Sequence, residues 1–105
     1  MNYINSIIRI LEIPSIRSYN NILMIQFKAQ IPYLRDKTEQ DSIIDCTIWG
    51  ELAYDLVNYY QINDYALIEG HISIFNNIEN HSASTIYHLN ITKLYPFLFT
   101  FEVSD

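Results

Sequence analysis

The sequence predicts an all-β domain carrying one short helix, and three features carry that prediction. Five stretches alternate apolar and polar residues at the two-residue period of a strand. Only Glu51 to Tyr60 repeats its apolar residues at helical spacing, and it falls between the third and fourth of those stretches. Gly70 interrupts the fourth, and a glycine inside a strand marks a bulge or the sharp bend with which a sheet coils into a barrel.

The first strand is predicted from Tyr3 to Ile13, with Ile7, Arg9, Leu11 and Ile13 on one face and Ile8, Ile10 and Glu12 on the other. Pro14 should end it, since proline has no N–H for the ladder. Ser18 to Asn21 reads as a turn. The second strand, Ile22 to Ile31, sets Leu23, Ile25, Phe27, Ala29 and Ile31 against Met24, Gln26, Lys28 and Gln30, so Lys28 should face water. The polar run Pro32 to Ser42 reads as a loop. In the third strand Ile44, Cys46 and Ile48 face one way, and Ile43, Asp45, Thr47 and Trp49 the other.

After Gly50 the helix places Leu52, Leu56 and Tyr60 in one stripe with Ala53 and Val57 beside it. Glu51 opens it, where the helix dipole favours a carboxylate. A turn at Asn63-Asp64 leads to the fourth strand, Tyr65 to Ile74. Phe75 to Ser84 reads as a second polar loop, and Thr85 to Leu94 as the fifth strand with Tyr87, Leu89 and Ile91 facing inward. The order is that of the OB-fold, a five-stranded Greek-key barrel, with one short α-helix between strands 3 and 4. Residues 1–96 form this domain, and 97–105 an apolar C-terminal tail.

At 105 residues, half of them apolar, the chain suffices for one domain with a real core. The lone Cys46 excludes an internal disulfide framework and, on the predicted inner face, acts as a small hydrophobe. No run approaches the roughly 18 apolar residues of a membrane span, and no basic-then-apolar leader opens the chain, so a soluble protein made where it works is expected. The formal charge of −6 argues against tight non-specific nucleic-acid binding, which depends on Lys and Arg displacing counterions. Ile, Asn and Tyr, all with AT-rich codons, make up more than a third of the residues, a composition that points to a compact AT-rich genome such as a plastid's.

Enzymatic chemistry finds little support. His71, His81 and His88 have no metal-ligand spacing. The two glycines cannot build a phosphate loop, and no serine stands in a nucleophile elbow. No cofactor is expected.

At Trp49-Gly50-Glu51-Leu52-Ala53 and Leu67-Ile68-Glu69-Gly70-His71-Ile72 the chain resembles the bacterial single-stranded DNA-binding protein family. Arg9-Ile10-Leu11-Glu12, Ile13-Pro14, Trp49-Gly50 and Leu94-Tyr95-Pro96 resemble more closely the thylakoid-associated, single-stranded-DNA-binding-like proteins of cyanobacteria and red-lineage plastids. The resemblance spans about Asn5 to Pro96. It implies a barrel, usually a homotetramer, that stacks bases on aromatic rings and holds the backbone with Lys and Arg. Trp49 stands at an aromatic position of that binding face. Ile43 replaces a common tryptophan, Asp45 replaces a usual basic residue, and the acidic tail that recruits partners is absent.

The candidate nucleic-acid-binding residues are therefore Trp49, with Tyr33 and Phe75 as further stackers, and Arg9, Arg17, Lys28, Arg35 and Lys37 as cations. Tyr95, Phe97, Phe99 and Phe101 form an aromatic surplus that either caps the barrel or builds an interface with another copy or a protein partner. Two readings stay open. One is a non-enzymatic single-stranded DNA-binding module of the plastid, stromal or thylakoid-associated, with weakened binding. The other is a protein-interaction subunit of a larger plastid assembly that keeps the scaffold without DNA binding.

Overall fold

The computed structural model describes residues 2–31, 43–79 and 82–97. In chain order these form β1 (Asn2–Ile10), β2 (Arg17–Tyr19), β3 (Ile22–Gln30), β4 (Ile43–Trp49), α1 (Glu51–Tyr59), β5 (Tyr65–Glu79) and β6 (Ser82–Pro96). The strands make one sheet in the order β1-β5-β6-β4-β3-β2, and β1 closes it by pairing with β3 at Arg9–Gln30 and Ile10–Ala29. The β4–β6 pairing is parallel. The all-β class and the single helix thus stand as predicted from the sequence.

One pleat face of each strand turns inward. Ile8 and Ile10, Ile25 and Phe27, Ile44 and Ile48, Ala66 and Ile68, and Leu89 and Ile91 make the core, with Cys46 and Ala29 among them. Helix α1 covers one end of this core with Ala53 and Leu56, and Tyr60 follows at its C-terminal boundary. Burying a leucine such as Leu56 contributes roughly 1.5–3 kcal/mol. Gly50 admits the helix. Its φ of 76° and ψ of −145° lie in a region essentially reserved for glycine, and that conformation turns the chain sharply out of β4.

Gly70 has a different task. The β5–β6 register runs Glu69↔Lys93 and then Gly70↔Ile91, so Thr92 is the extra residue of a bulge. The Thr92 hydroxyl donates to the Glu69 carbonyl at 3.1 Å. At this bend the Asn90 carbonyl approaches Gly70 so closely that a side chain there would collide with it.

The structure corrects several boundaries. The first strand stops at Ile10, not Ile13. The Ile10 N–H donates to the Asp64 carbonyl, the Asn63 N–H to the Ile10 carbonyl, and the Leu11 N–H already to Lys28 of β3. The chain is therefore crossing from β5 to β3, and Pro14 is not what ends the ladder. Where the Lys28 N–H lacks a ladder partner it donates to the Glu12 carboxylate at 3.1 Å. The expected turn at Ser18 to Asn21 is narrower. Arg17–Tyr19 is a sixth strand, and only Asn20 and Asn21 turn, with φ of 52° and 65° as a tight hairpin requires.

The largest correction concerns Phe75 to Ser84, expected to be a loop. There β5 continues to Glu79, and β6 starts at Ser82, before the expected Thr85. The pairs Asn76↔Thr85 through Glu79↔Ser82 extend the hairpin. Strand pairing is made by backbone groups, so a polar run can extend a hairpin with no apolar alternation to announce it. Its sequence therefore looks like a loop. Tyr87, predicted to face inward, lies beyond the barrel's reach and is 44% exposed. The expected loop at Pro32 to Ser42 lies outside the described residues.

Candidate nucleic-acid interface

The outward face of β4 carries Ile43, Asp45, Thr47 and Trp49, as the alternation predicted, and the ladder determines what stands beside each. Asp45 lies between Lys28 of β3 and His88 of β6, with Ser73 of β5 next in line. Thr47 lies between Gln26 and Asn90, followed by His71 of β5 and Tyr3 of β1. Trp49 lies beside Met24, with Arg17 of β2 beyond. Successive rows are about 7 Å apart along the strands, and neighbours within a row about 4.8 Å.

Trp49 is 42% exposed and forms one lip of a shallow groove of about 360 Å³ lined also by Gln26, Thr47, Ser73, His88 and Asn90. A second hollow of about 420 Å³ shares Gln26 and His88 and reaches Arg17, Lys28, Asp45 and the Glu12–Ser15 segment. Together they make one trough across β3, β4 and β6. Its floor is fixed. Thr47 is buried, and its hydroxyl and the His88 Nε2 are 2.7 Å apart, so the one buried polar side chain of the core inventory is satisfied. On β1 and β5 the Tyr3 hydroxyl donates to Glu69 at 2.9 Å, and the ring of Tyr3 meets that of His71 edge-on at 5.0 Å.

Charge is sparse, and both lysines among the described residues are engaged. The Lys28 Nζ lies 3.9 Å from the Asp45 carboxylate, both side chains more than half exposed. Such a pair contributes little to stability. It does spend the charge of Lys28 on a carboxylate instead of a phosphate. Lys93 lies 3.9 Å from Glu69 in the same way.

Of the candidates named from the sequence, Trp49, Lys28 and Arg17 come together on this face. Phe75 lies on β5 two residues past Ser73, 57% exposed, toward the far end of the trough from Trp49. Arg9 does not join them. It pairs with Gln30, six residues along β3 from Met24 or roughly 20 Å away, and its Nε is buried without a hydrogen-bond partner. Tyr95 lies opposite Leu67 on the outward face of the β5–β6 pair, and the Phe97 N–H donates to the Tyr65 carbonyl. Tyr33, Arg35, Lys37, Phe99 and Phe101 lie outside the described residues.

Thr47 was placed on this face from the sequence, but Gln26, His71, His88, Asn90 and Tyr3 were not singled out as sharing it. Strand parity marks Gln26 and Thr47 as outward, but the parallel crossing of β6 onto β4 aligns Asn90 and His88 with them, and no local pattern carries that register. The remaining groups are inert. Burial, reinforced by nearby Asp45, pushes the Cys46 thiol far above its ordinary range. Burial, with Asp55 and Asp64, raises the Tyr60 hydroxyl. No group of three or more His, Cys, Asp or Glu side chains that could hold a metal occurs among the described residues, and no helix among them is long and apolar enough to cross a membrane.

No protein-family model matches the chain. A protein of Trieres chinensis named "Putative single-stranded DNA-binding protein ycf41" is 31% identical over 102 residues, which cover 93% of this chain and 90% of the relative. Among solved structures, the SSB domain of a Synechococcus sp. protein superposes with a TM-score of 0.67 at 20% identity, covering 90% of this chain and 94% of its own. A small single-stranded DNA-binding protein from Streptomyces coelicolor gives 0.69 at 14% identity, with 93% and 97% covered. The second single-stranded DNA-binding protein of Mycobacterium smegmatis gives 0.65 at 14% identity, with both chains fully covered. At such identities the solved structures establish the shared fold, the OB-fold barrel.

Proposed function

The chain belongs to the single-stranded DNA-binding protein family, beside ycf41, and on that premise we propose that it binds single-stranded DNA, without enzymatic activity, along the trough across β3, β4 and β6. Trp49 carries this reading. A large ring 42% exposed at the lip of a groove is an available stacking surface, and stacking tolerates any base because every base has a π-face. Arg17, in the same row, supplies a cation about 10 Å away, two strand spacings. Phe75 offers a second ring toward the other end. A plastid setting fits both the AT-rich-codon composition and the ycf41 relative.

Binding is weak in this reading, because Asp45 engages Lys28 and the chain as a whole carries −6. A labelled oligo-dT of roughly 30–60 nucleotides is expected to bind at low salt, where electrostatic attraction is strongest. Asp45→Arg, which removes the carboxylate and releases Lys28, should tighten that binding roughly tenfold. If the wild-type protein shows no binding in a low-salt anisotropy titration, the reading fails.

A second reading draws on a different surface. Leu67 and Tyr95, 39% and 46% exposed, face each other on β5 and β6, and Ile7 of β1 continues the row. An apolar row on an open sheet face suits a second copy of the chain. Leu67→Asp should then reduce the sedimentation coefficient of the assembled form. An identical sedimentation profile for wild type and variant would remove this reading.

A further inference from the structure

We infer that the trough is selective among bases and prefers adenine, a deepening that rests on the proposed single-stranded DNA-binding role. The observation is the composition of the row below Trp49. Thr47 is flanked by two side-chain amides, Gln26 on β3 and Asn90 on β6, both lining the same groove as Trp49. No hydrogen bond commits either amide among the described residues, while Thr47 between them is bonded to His88 of the neighbouring row. Their backbone positions are two strand spacings apart, about 10 Å, and one row, about 7 Å along the strands, from that of Trp49.

A base stacked on Trp49 presents its edges to this row. A carboxamide carries a donor and an acceptor side by side, so it pairs with a base edge that carries the complementary two. Adenine has two such edges, one made by N1 and the 6-amino group and one by N7 and the same amino group. Each edge uses its own amino hydrogen, so both amides can be served at once. Cytosine has only one such edge, made by N3 and the 4-amino group. Thymine has a single N–H to divide between its two carbonyls. Guanine offers one such edge on its Watson–Crick side, made by N1–H and O6, while its N7 and O6 edge is a pair of acceptors suited to Arg or Lys, and on this face Lys28 is held by Asp45. That carboxylate, next to the amide row, also favours bases that direct an amine toward it.

The experiment compares labelled 12-nucleotide oligo-dA, oligo-dC and oligo-dT by fluorescence anisotropy with the full chain at one low salt concentration. Oligo-dA should bind about tenfold more tightly than oligo-dT, within what a bidentate amide–base pair supplies. Self-stacking of oligo-dA opposes this preference, so its observation would be conservative. Gln26→Ala and Asn90→Ala, each alone, should bring the dA:dT affinity ratio down toward one. Binding to all three with equal affinity, or a preference for dT, overturns the adenine selectivity and leaves the binding role in place. Failure to bind any of the three overturns both.

Discussion

Gly70→Ala is expected to cost about 3 kcal/mol of folding stability, near the upper end of what over-packing a core position costs. The cause is space. A methyl group at Gly70 would collide with the Asn90 carbonyl and lie 3.0 Å from both the Asn90 carbonyl carbon and the Ile91 Cα. All of these are backbone atoms, which cannot swing away as a flexible side chain would. They belong to β6 at the bulge where the β5–β6 ladder changes register, so relief means prying apart two neighbouring strands of the barrel. Against a total stability of about 5–15 kcal/mol for a domain, such a loss should appear as a large drop in the urea midpoint at an unchanged slope.

Gly50 supplies the control, because nothing lies within 4 Å of a Cβ built there. Gly50→Ala should cost only the conformational strain of its positive φ, on the order of 1–3 kcal/mol. A Gly70→Ala variant with the wild-type midpoint would show that the bulge can widen, and the steric account would be wrong.

Trp49→Ala should lower the affinity for oligo-dT by about ten- to a hundredfold, the loss of one stacked base at ~1–3 kcal/mol. Stability should hardly change, because the ring is partly exposed on the outward face and stands outside the core cluster. Trp49→Phe, which keeps a π-face, should retain most of the binding. These responses separate a stacking residue from a packing one. If Trp49→Ala instead lowers the unfolding midpoint and leaves affinity unchanged, the ring is part of the fold and the trough is not the binding surface. The measurement needs an extrinsic label on the DNA, since Trp49 is the sole tryptophan and its fluorescence disappears with it.

The elements that were legible are those whose side chains meet the core. β3 and β4 appeared with their faces correctly assigned because burial on one side and water on the other imposes a two-residue period on the sequence. Helix α1 was legible for the corresponding reason at 3.6 residues. The outer part of the β5–β6 hairpin was not, because backbone groups alone make its pairing and its largely polar sequence carries no two-residue apolar period. β2 was also missed, since all three of its residues are exposed and only its hydrogen bonds to β3 define it.

The candidate site divides along the same line. Strand parity in the sequence alone put Trp49 and Asp45 on one face, and the family resemblance gave that face a use. The pairing of Asp45 with Lys28, and the alignment of Gln26, Thr47 and Asn90 beneath the ring, required the tertiary structure. A residue's face depends on its own position along its strand, which the chain encodes locally. Its neighbour depends on the register between strands that lie 17 residues apart at Lys28 and Asp45 and 43 apart at Thr47 and Asn90, and that register is decided only when the core closes.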